Sequence, residues 1–77
     1  MQIVDSKLKA YPYRDGFEIA GNREGLRELA RVCLALAELP EDNDSAKRLG
    51  NHHHFAEYMQ NTEHGSTPFI ILYNPEL

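Results

Sequence analysis

The chain has 77 residues, a net charge of −4 and a single cysteine, so no internal disulfide braces this small fold. Its 12 acidic and 8 basic residues disfavour nucleic-acid binding, which takes much of its affinity from Lys and Arg on phosphates. The longest apolar run, residues 32–37, is too short to cross a bilayer, and charges near the N-terminus disfavour an export signal. We therefore expect one cytoplasmic domain over residues 1–77 that binds neither nucleic acid nor membrane.

The first part of the chain predicts a β-hairpin. Its first strand begins near the β-prone pair Ile3-Val4. Asp15-Gly16 is a strong turn dipeptide, because glycine accepts a positive φ without a steric penalty. After the turn, residues 17–20 alternate apolar and polar, which is typical of a half-buried strand. Pro12 cannot donate a ladder hydrogen bond, so the first strand lies at a sheet edge or ends before Tyr11.

Residues 23–39 predict an amphipathic α-helix. Gly21 ends the strand before it, and Asn22 is a good N-cap because its side-chain oxygen can accept from a first-turn amide. Pro40 follows the pattern, as expected just beyond a helix end. The apolar positions recur every three or four residues and predict one buried stripe, formed by Leu26, Leu29, Ala30, Cys33, Leu36 and Ala37 and widened by Val32 and Leu34.

The second half of the chain predicts short elements only. In order they are an acidic loop, a helical turn, a strand, a turn and a strand, at residues 41–45, 46–49, 52–58, 61–66 and 67–73. Gly65-Ser66 is the expected tip of the turn. In the last strand apolar residues occupy both alternating positions, which predicts an inner strand with both faces at least partly covered.

The element order β-β-α-β-β predicts an α+β fold, a two-layer sandwich with one long helix packed on a mainly antiparallel four-stranded sheet. One helix covers one sheet face well, so the other face is open. Aromatic residues are enriched at protein interfaces, so aromatic and histidine side chains on the open face are interface candidates. These candidates are Tyr11, Tyr13, His53 and Tyr73.

Five features follow one another in this chain: a strand that ends in Gly-Asn, a Leu/Ala-rich helix, a histidine-containing strand, a Gly-Ser turn and a last apolar strand. The residues that carry this order are Phe17-Glu18-Ile19-Ala20-Gly21-Asn22, Leu29-Ala30, Leu36-Ala37, His52-His53-His54-Phe55, Gly65-Ser66 and Phe69-Ile70-Ile71. The pattern resembles the immunity protein 32 family of bacterial polymorphic-toxin systems over residues 17–72. The resemblance implies a bacterial protein that neutralises a toxin by binding it. The segment before Asp15 is longer and richer in tyrosine than the family pattern.

The joint between the second strand and the helix does not meet the requirements of a phosphate-binding loop. Gly21 and Gly25 bracket the helix start, but Leu26 follows where a Walker-type loop needs Lys and then Ser or Thr. A dinucleotide fingerprint needs a third glycine and a parallel βαβ frame. We expect Gly25 either to allow close helix–sheet approach or simply to occupy the first turn.

The run His52-His53-His54 is the candidate metal site. Alternation along a strand places His52 and His54 on one face and His53 on the other. Two imidazoles at that spacing can bind zinc, nickel or copper, yet a defined zinc site needs a third and usually a fourth ligand. The possible further ligands are Asp44, Glu57, Glu63 and His64. The alternative is a set of exposed histidines on the open sheet face that binds no metal.

The residues do not predict an enzyme. Cys33 lies in the middle of the predicted buried stripe, where a thiol behaves as a small hydrophobe. No pair of carboxylates stands in a recognisable acid–base arrangement. We interpret the chain as a non-enzymatic protein-binding module, with a toxin-neutralising role implied by the resemblance. A histidine-based metal-binding protein and a homodimeric accessory protein are the alternatives.

Overall fold

The fold consists of two β-hairpins and two helices. The structure, a computed structural model, describes residues 5–57, 59 and 61–77. Its elements in chain order are β1 (Leu8–Tyr13), β2 (Gly16–Gly21), α1 (Arg23–Ala37), α2 (Asn43–Arg48), β3 (His52–Phe55) and β4 (Phe69–Leu72). The predicted α+β class is confirmed, whereas Ile3-Val4 lies outside the described residues. No helix in the described ranges has the length and apolar character needed to span a membrane.

The predicted N-terminal hairpin is confirmed. Strands β1 and β2 pair antiparallel, with Tyr13 opposite Gly16 at the turn. The positive φ, 54°, belongs to Arg14, so the expectation that Gly16 would supply it is wrong. Gly16 already belongs to β2, where it pairs with Tyr13. The two residues between them form the loop, and the left-handed position of that loop is Arg14. Pro12 lies inside β1, so the first strand does not end before Tyr11.

The two hairpins do not merge into the predicted four-stranded sheet. Strands β3 and β4 form a separate two-stranded antiparallel sheet. The outer edge of β1 is instead bonded to the irregular segment 61–67, in which Asn61 O accepts from Leu8 N at 2.8 Å. Further along, Thr67 N donates to Ala10 O at 2.7 Å. Because this segment occupies the edge of β1, no strand of the second hairpin pairs there.

Helix α1 begins at the predicted residue, but a different face of it is buried. The buried residues are Gly25, Val32 and Leu36, and Leu29 is partly buried against them. The predicted stripe is confirmed at Leu36 and in part at Leu29, and it is wrong at Cys33, which is exposed. The helix is therefore rotated about its axis relative to the prediction.

The contacts at the start of α1 explain this rotation. Asn22 caps the helix as predicted, and its Oδ1 accepts from Gly25 N at 2.8 Å and from Lys7 N at 3.0 Å. Its Nδ2 also donates to Asp5 O at 2.7 Å. A Cβ atom on Gly25 would collide with the Lys7 carbonyl. Gly25 therefore allows α1 to approach the backbone just before β1, and this contact fixes which side of α1 faces the core.

The core joins α1 to both hairpins. Its buried side chains are Leu8, Val32, Leu36 and Phe55. Phe55 stacks on Phe69 with ring centroids 4.7 Å apart. The ring of Phe69 also meets Phe17 of the first hairpin edge-on at 6.1 Å.

A second helix, α2, replaces part of the predicted loop at residues 41–45. Asp42 is its N-cap and accepts from Ser45 N at 3.1 Å. The prediction of an irregular segment overlooked this cap. An Asp side chain that accepts a hydrogen bond from the backbone amide three residues later can start a helix even where no apolar pattern marks one. The predicted helical turn at 46–49 is the end of this helix.

Both strands of the second hairpin are shorter than predicted. Strand β3 ends at Phe55, and Tyr58, where its predicted range ended, lies outside the described residues. Strand β4 is not covered on both faces, because Ile70 and Leu72 are 54% and 58% exposed. The described helices leave this side of the hairpin uncovered, so the prediction of an inner strand is wrong.

Candidate functional site

Two surfaces of this fold expose apolar or aromatic side chains. The first lies on the sides of the hairpins that point away from the core, and we call it the outward face. It consists of Tyr11, Tyr13, His52, His54, Ile70 and Leu72. The second lies along α1 and we call it the helix strip. It consists of Leu26, Ala30, Cys33, Leu34 and Ala37.

The first hairpin contributes two tyrosines to the outward face. Tyr11 stands opposite Glu18 on the neighbouring strand. Partial desolvation, and then the Glu18 carboxylate, raises the pKa of Tyr11 above its ordinary value, so its hydroxyl is protonated at neutral pH. Tyr13 is 50% exposed, and the Arg14 guanidinium carbon lies 5.3 Å from the centre of its ring. The pair offers aromatic area with hydroxyl groups able to bond a partner.

The second hairpin contributes two histidines and two aliphatic residues. His52 is opposite Leu72, and His54 is opposite Ile70. The two imidazoles meet edge-on with ring centroids 5.0 Å apart. They share one face of β3, as the alternation of a strand predicts.

The other two interface candidates lie on the opposite side of the second hairpin. His53 is half-buried, and its ring centroid is 4.6 Å from that of Phe55. Tyr73 is partly buried against the core. The structure thus brings Tyr11 and Tyr13 together on the outward face and separates them from His53 and Tyr73.

The candidate metal ligands are not gathered into one site within a single chain. Among the described residues, no group of three or more His, Cys, Asp and Glu side chains is placed to hold an ion. His64, one of the predicted further ligands, lies beside Glu57, with Nδ1 and Oε2 3.5 Å apart. The same Oε2 atom of Glu57 accepts from Gly65 N at 2.8 Å. His52 and His54 thus form a pair of exposed imidazoles.

A shallow apolar depression lies at the end of the second hairpin where the connection 56–68 leaves β3 and enters β4. It has a volume of about 330 Å³ and is lined by His54, Phe55, Ala56, Pro68, Phe69 and Ile70. Two of these residues, His54 and Ile70, also belong to the outward face. The depression is therefore continuous with that face and large enough to receive a side chain of a partner.

Sequence reasoning missed the helix strip. Its members Leu26 and Leu34 are 48% and 65% exposed, although their spacing is that of a buried stripe. A second stripe was present in the sequence, at Gly25, Leu29, Val32 and Leu36, with the same helical spacing. Gly25 was the residue that could have identified it, because a glycine in the first turn of a helix indicates close approach.

Fold and surface together define a small α+β domain whose exposed faces carry apolar and aromatic side chains. The family model described as Immunity protein 32 matches residues 17–75. The chain therefore belongs to the immunity protein 32 family, and the resemblance seen in its motifs is confirmed. The match begins inside β2 and extends past β4, so β1 precedes it. Neither the curated proteins nor the solved structures contain a match.

Proposed function

We propose that this protein is a toxin-neutralising immunity protein that acts by binding its toxin, without catalysis. The observation that carries the proposal is the family match over residues 17–75, which includes five of the six elements. The net charge of −4 favours a basic partner, since opposite charge accelerates encounter.

We propose the outward face as the surface that contacts the toxin. Half-exposed tyrosines supply large contact area with a polar tip, and such residues are enriched at interfaces. Ile70 and Leu72 are more than half exposed, and a partner would remove that apolar area from water. The depression beside Ile70 offers a place for an anchoring side chain.

Co-expression tests the immunity function itself. The product of the neighbouring gene is expressed in a sensitive bacterial host with and without this protein, and growth is recorded. We expect this protein to restore growth and to elute with the toxin as one complex in size-exclusion chromatography. Continued toxicity, with the two proteins eluting separately, would contradict the proposal.

Paired substitutions test the surface. Tyr13→Ala and Leu72→Ser change exposed side chains of the outward face, and Leu34→Ser makes a comparable change in the helix strip. We expect the first two to weaken toxin binding about tenfold or more, the effect of losing ~1.4 kcal/mol, and the third to leave it unchanged. If Leu34→Ser alone weakens binding, the helix strip is the contact surface and the assignment to the outward face is wrong.

A further inference from the structure

We infer that strand β3 joins two copies of this chain around one divalent transition-metal ion, with His52 and His54 of each copy as ligands. The inference concerns a second property of the molecule and does not depend on toxin binding. It rests on the orientation of the His52 ring, on the incomplete ligand set of one copy and on the unpaired edge of β3.

A neighbouring amide orients the imidazole of His52. The Nδ1 atom of His52 lies 3.1 Å from Asn51 Oδ1. A contact of this kind between one ring nitrogen and an oxygen acceptor holds the ring in place and leaves Nε2 as the nitrogen available to a metal.

One copy supplies only part of a ligand set. His52 and His54 are exposed on the same side of β3 with ring centroids 5.0 Å apart. Within the part of the chain that the structure describes, no third His, Cys, Asp or Glu joins them. Zinc is usually held by four ligands in tetrahedral geometry, so the two missing ligands have to come from outside the chain.

The backbone of β3 is arranged to accept a second strand. Tyr73 N donates to Asn51 O at 2.8 Å. This bond shows which residues along β3 direct their backbone groups toward β4. Antiparallel pairing alternates, so the N–H and C=O groups of His53 point to β4 and those of His52 and His54 point to the other edge. In the described residues no strand other than β4 pairs with β3. Within the described ranges, the outer edge of β3 is therefore unpaired.

Two-fold pairing of this edge completes the site. If two β3 strands pair antiparallel about His53, His52 lies opposite His54 of the second copy and His54 lies opposite its His52. Directly opposed residues have Cβ atoms about 4.5–5.5 Å apart, so four imidazoles lie together on one side of the joined sheet. Imidazole nitrogen is a preferred ligand of zinc, nickel and copper. The arrangement is isologous, which is the geometry of most protein dimers.

Zinc titration of the untagged protein tests the inference. Molecular mass is measured by sedimentation equilibrium with added ZnCl₂ and again after EDTA, and stoichiometry by isothermal titration calorimetry. We expect zinc to double the mass, one ion to bind per two chains, and EDTA to restore the monomer. One ion per chain with no change of mass would overturn the inference.

Matched histidine variants locate the ligands. His52→Ala and His54→Ala should each abolish the zinc-dependent dimer, with circular dichroism showing that the variants are folded. His64→Ala is the control, since its side chain is 98% exposed and lies outside β3. The inference is wrong if the dimer persists in both β3 variants, or if His64→Ala removes it.

Asn51 is a positioning residue in this site. Asn51→Ala should weaken zinc binding roughly 10–100-fold, and Asn51→Asp, which keeps an accepting oxygen, should restore most of it. Equal zinc affinity in the wild type and Asn51→Ala would contradict the role given to Asn51.

Discussion

At the scale of single residues, Gly25 is the position where the fold has least room. Alanine is ordinarily the better helix former, and Gly→Ala inside a helix gains about 1 kcal/mol. Here the added methyl group would collide with the carbonyl of Lys7. We therefore predict that Gly25→Ala lowers the free energy of unfolding by about 1–3 kcal/mol, as overpacking usually does.

The measurement for Gly25→Ala is urea unfolding followed by far-UV circular dichroism. Gly16→Ala is the matched control, since a Cβ atom there meets only Tyr13 O, at 3.7 Å. We expect the control to unfold close to the wild-type midpoint. A stabilised Gly25→Ala variant would mean that helix propensity outweighs the contact with Lys7, and that this contact does not set the rotation of α1.

Asp42 gives a prediction about pH. Hydrogen bonds from the Ser45 hydroxyl and then from the Ser45 backbone amide lower the pKa of the Asp42 carboxyl below its ordinary value of 3.8. The ionised form is thus favoured in the folded state. Its contribution to stability is complete above the unfolded pKa, near pH 4, and is lost as the pH falls through the lower folded pKa.

The Asp42→Asn variant isolates this effect, because asparagine still caps α2 but does not titrate. We predict that the wild type is more stable than the variant at pH 6 and that the difference shrinks progressively below about pH 4. Urea unfolding at a series of pH values measures the difference. A difference that stays constant down to pH 2 would show that the bonds from Ser45 do not favour the charged carboxylate.

At the scale of elements, the rotation of α1 predicts opposite fates for two leucines two positions apart. Leu36 is 9% exposed within the core, whereas Leu34 is 65% exposed on the helix strip. We expect Leu36→Ala to cost about 2–5 kcal/mol in the free energy of unfolding, the range for buried leucines. Leu34→Ala should change it by no more than about 0.5 kcal/mol. Thermal and urea unfolding of the two variants decide the comparison, and a larger loss in Leu34→Ala would restore the stripe that the sequence suggested.

The start of α1 could be predicted from the sequence because local chemistry sets it. Asn22 supplies the cap, and Pro40 limits how far the helix can extend. The buried face could not be predicted in the same way, since two apolar stripes satisfy the helical period. A contact between Gly25 and Lys7, distant in sequence, decides between them.

The same division holds for the candidate site. The shared face of His52 and His54 follows from the two-residue period of a strand, and the structure agrees. The inward position of Tyr73 depends on how the second hairpin packs on the core. No local sequence pattern indicates that packing. The split into two sheets has a similar cause, because segment 61–67 bonds to β1 without forming a regular strand.

At the scale of the whole molecule, segment 61–67 connects the two hairpins that carry the outward face. It lies along β1 and leads directly to β4, so the first hairpin is tied to the second through it. Two buried hydroxyl groups lie in this segment. Ser66 Oγ accepts from Ala10 N at 2.8 Å, whereas Thr62 Oγ1 has no hydrogen-bond partner in the described part of the chain.

These two hydroxyls give opposite predictions for substitutions of similar size. Ser66→Ala leaves the buried amide of Ala10 without an acceptor and should lower the free energy of unfolding by about 1–3 kcal/mol. Thr62→Val replaces an unpaired buried hydroxyl by a methyl group of the same shape, so it should be neutral or stabilising.

Urea unfolding is followed by tyrosine fluorescence and far-UV circular dichroism together. If Ser66→Ala loosens the junction, the tyrosine fluorescence should change at lower urea than in the wild type. Equal losses in both variants would show that the bond between Ser66 and Ala10 is not what joins the hairpins, and the outward face would then have to be treated as two independent surfaces.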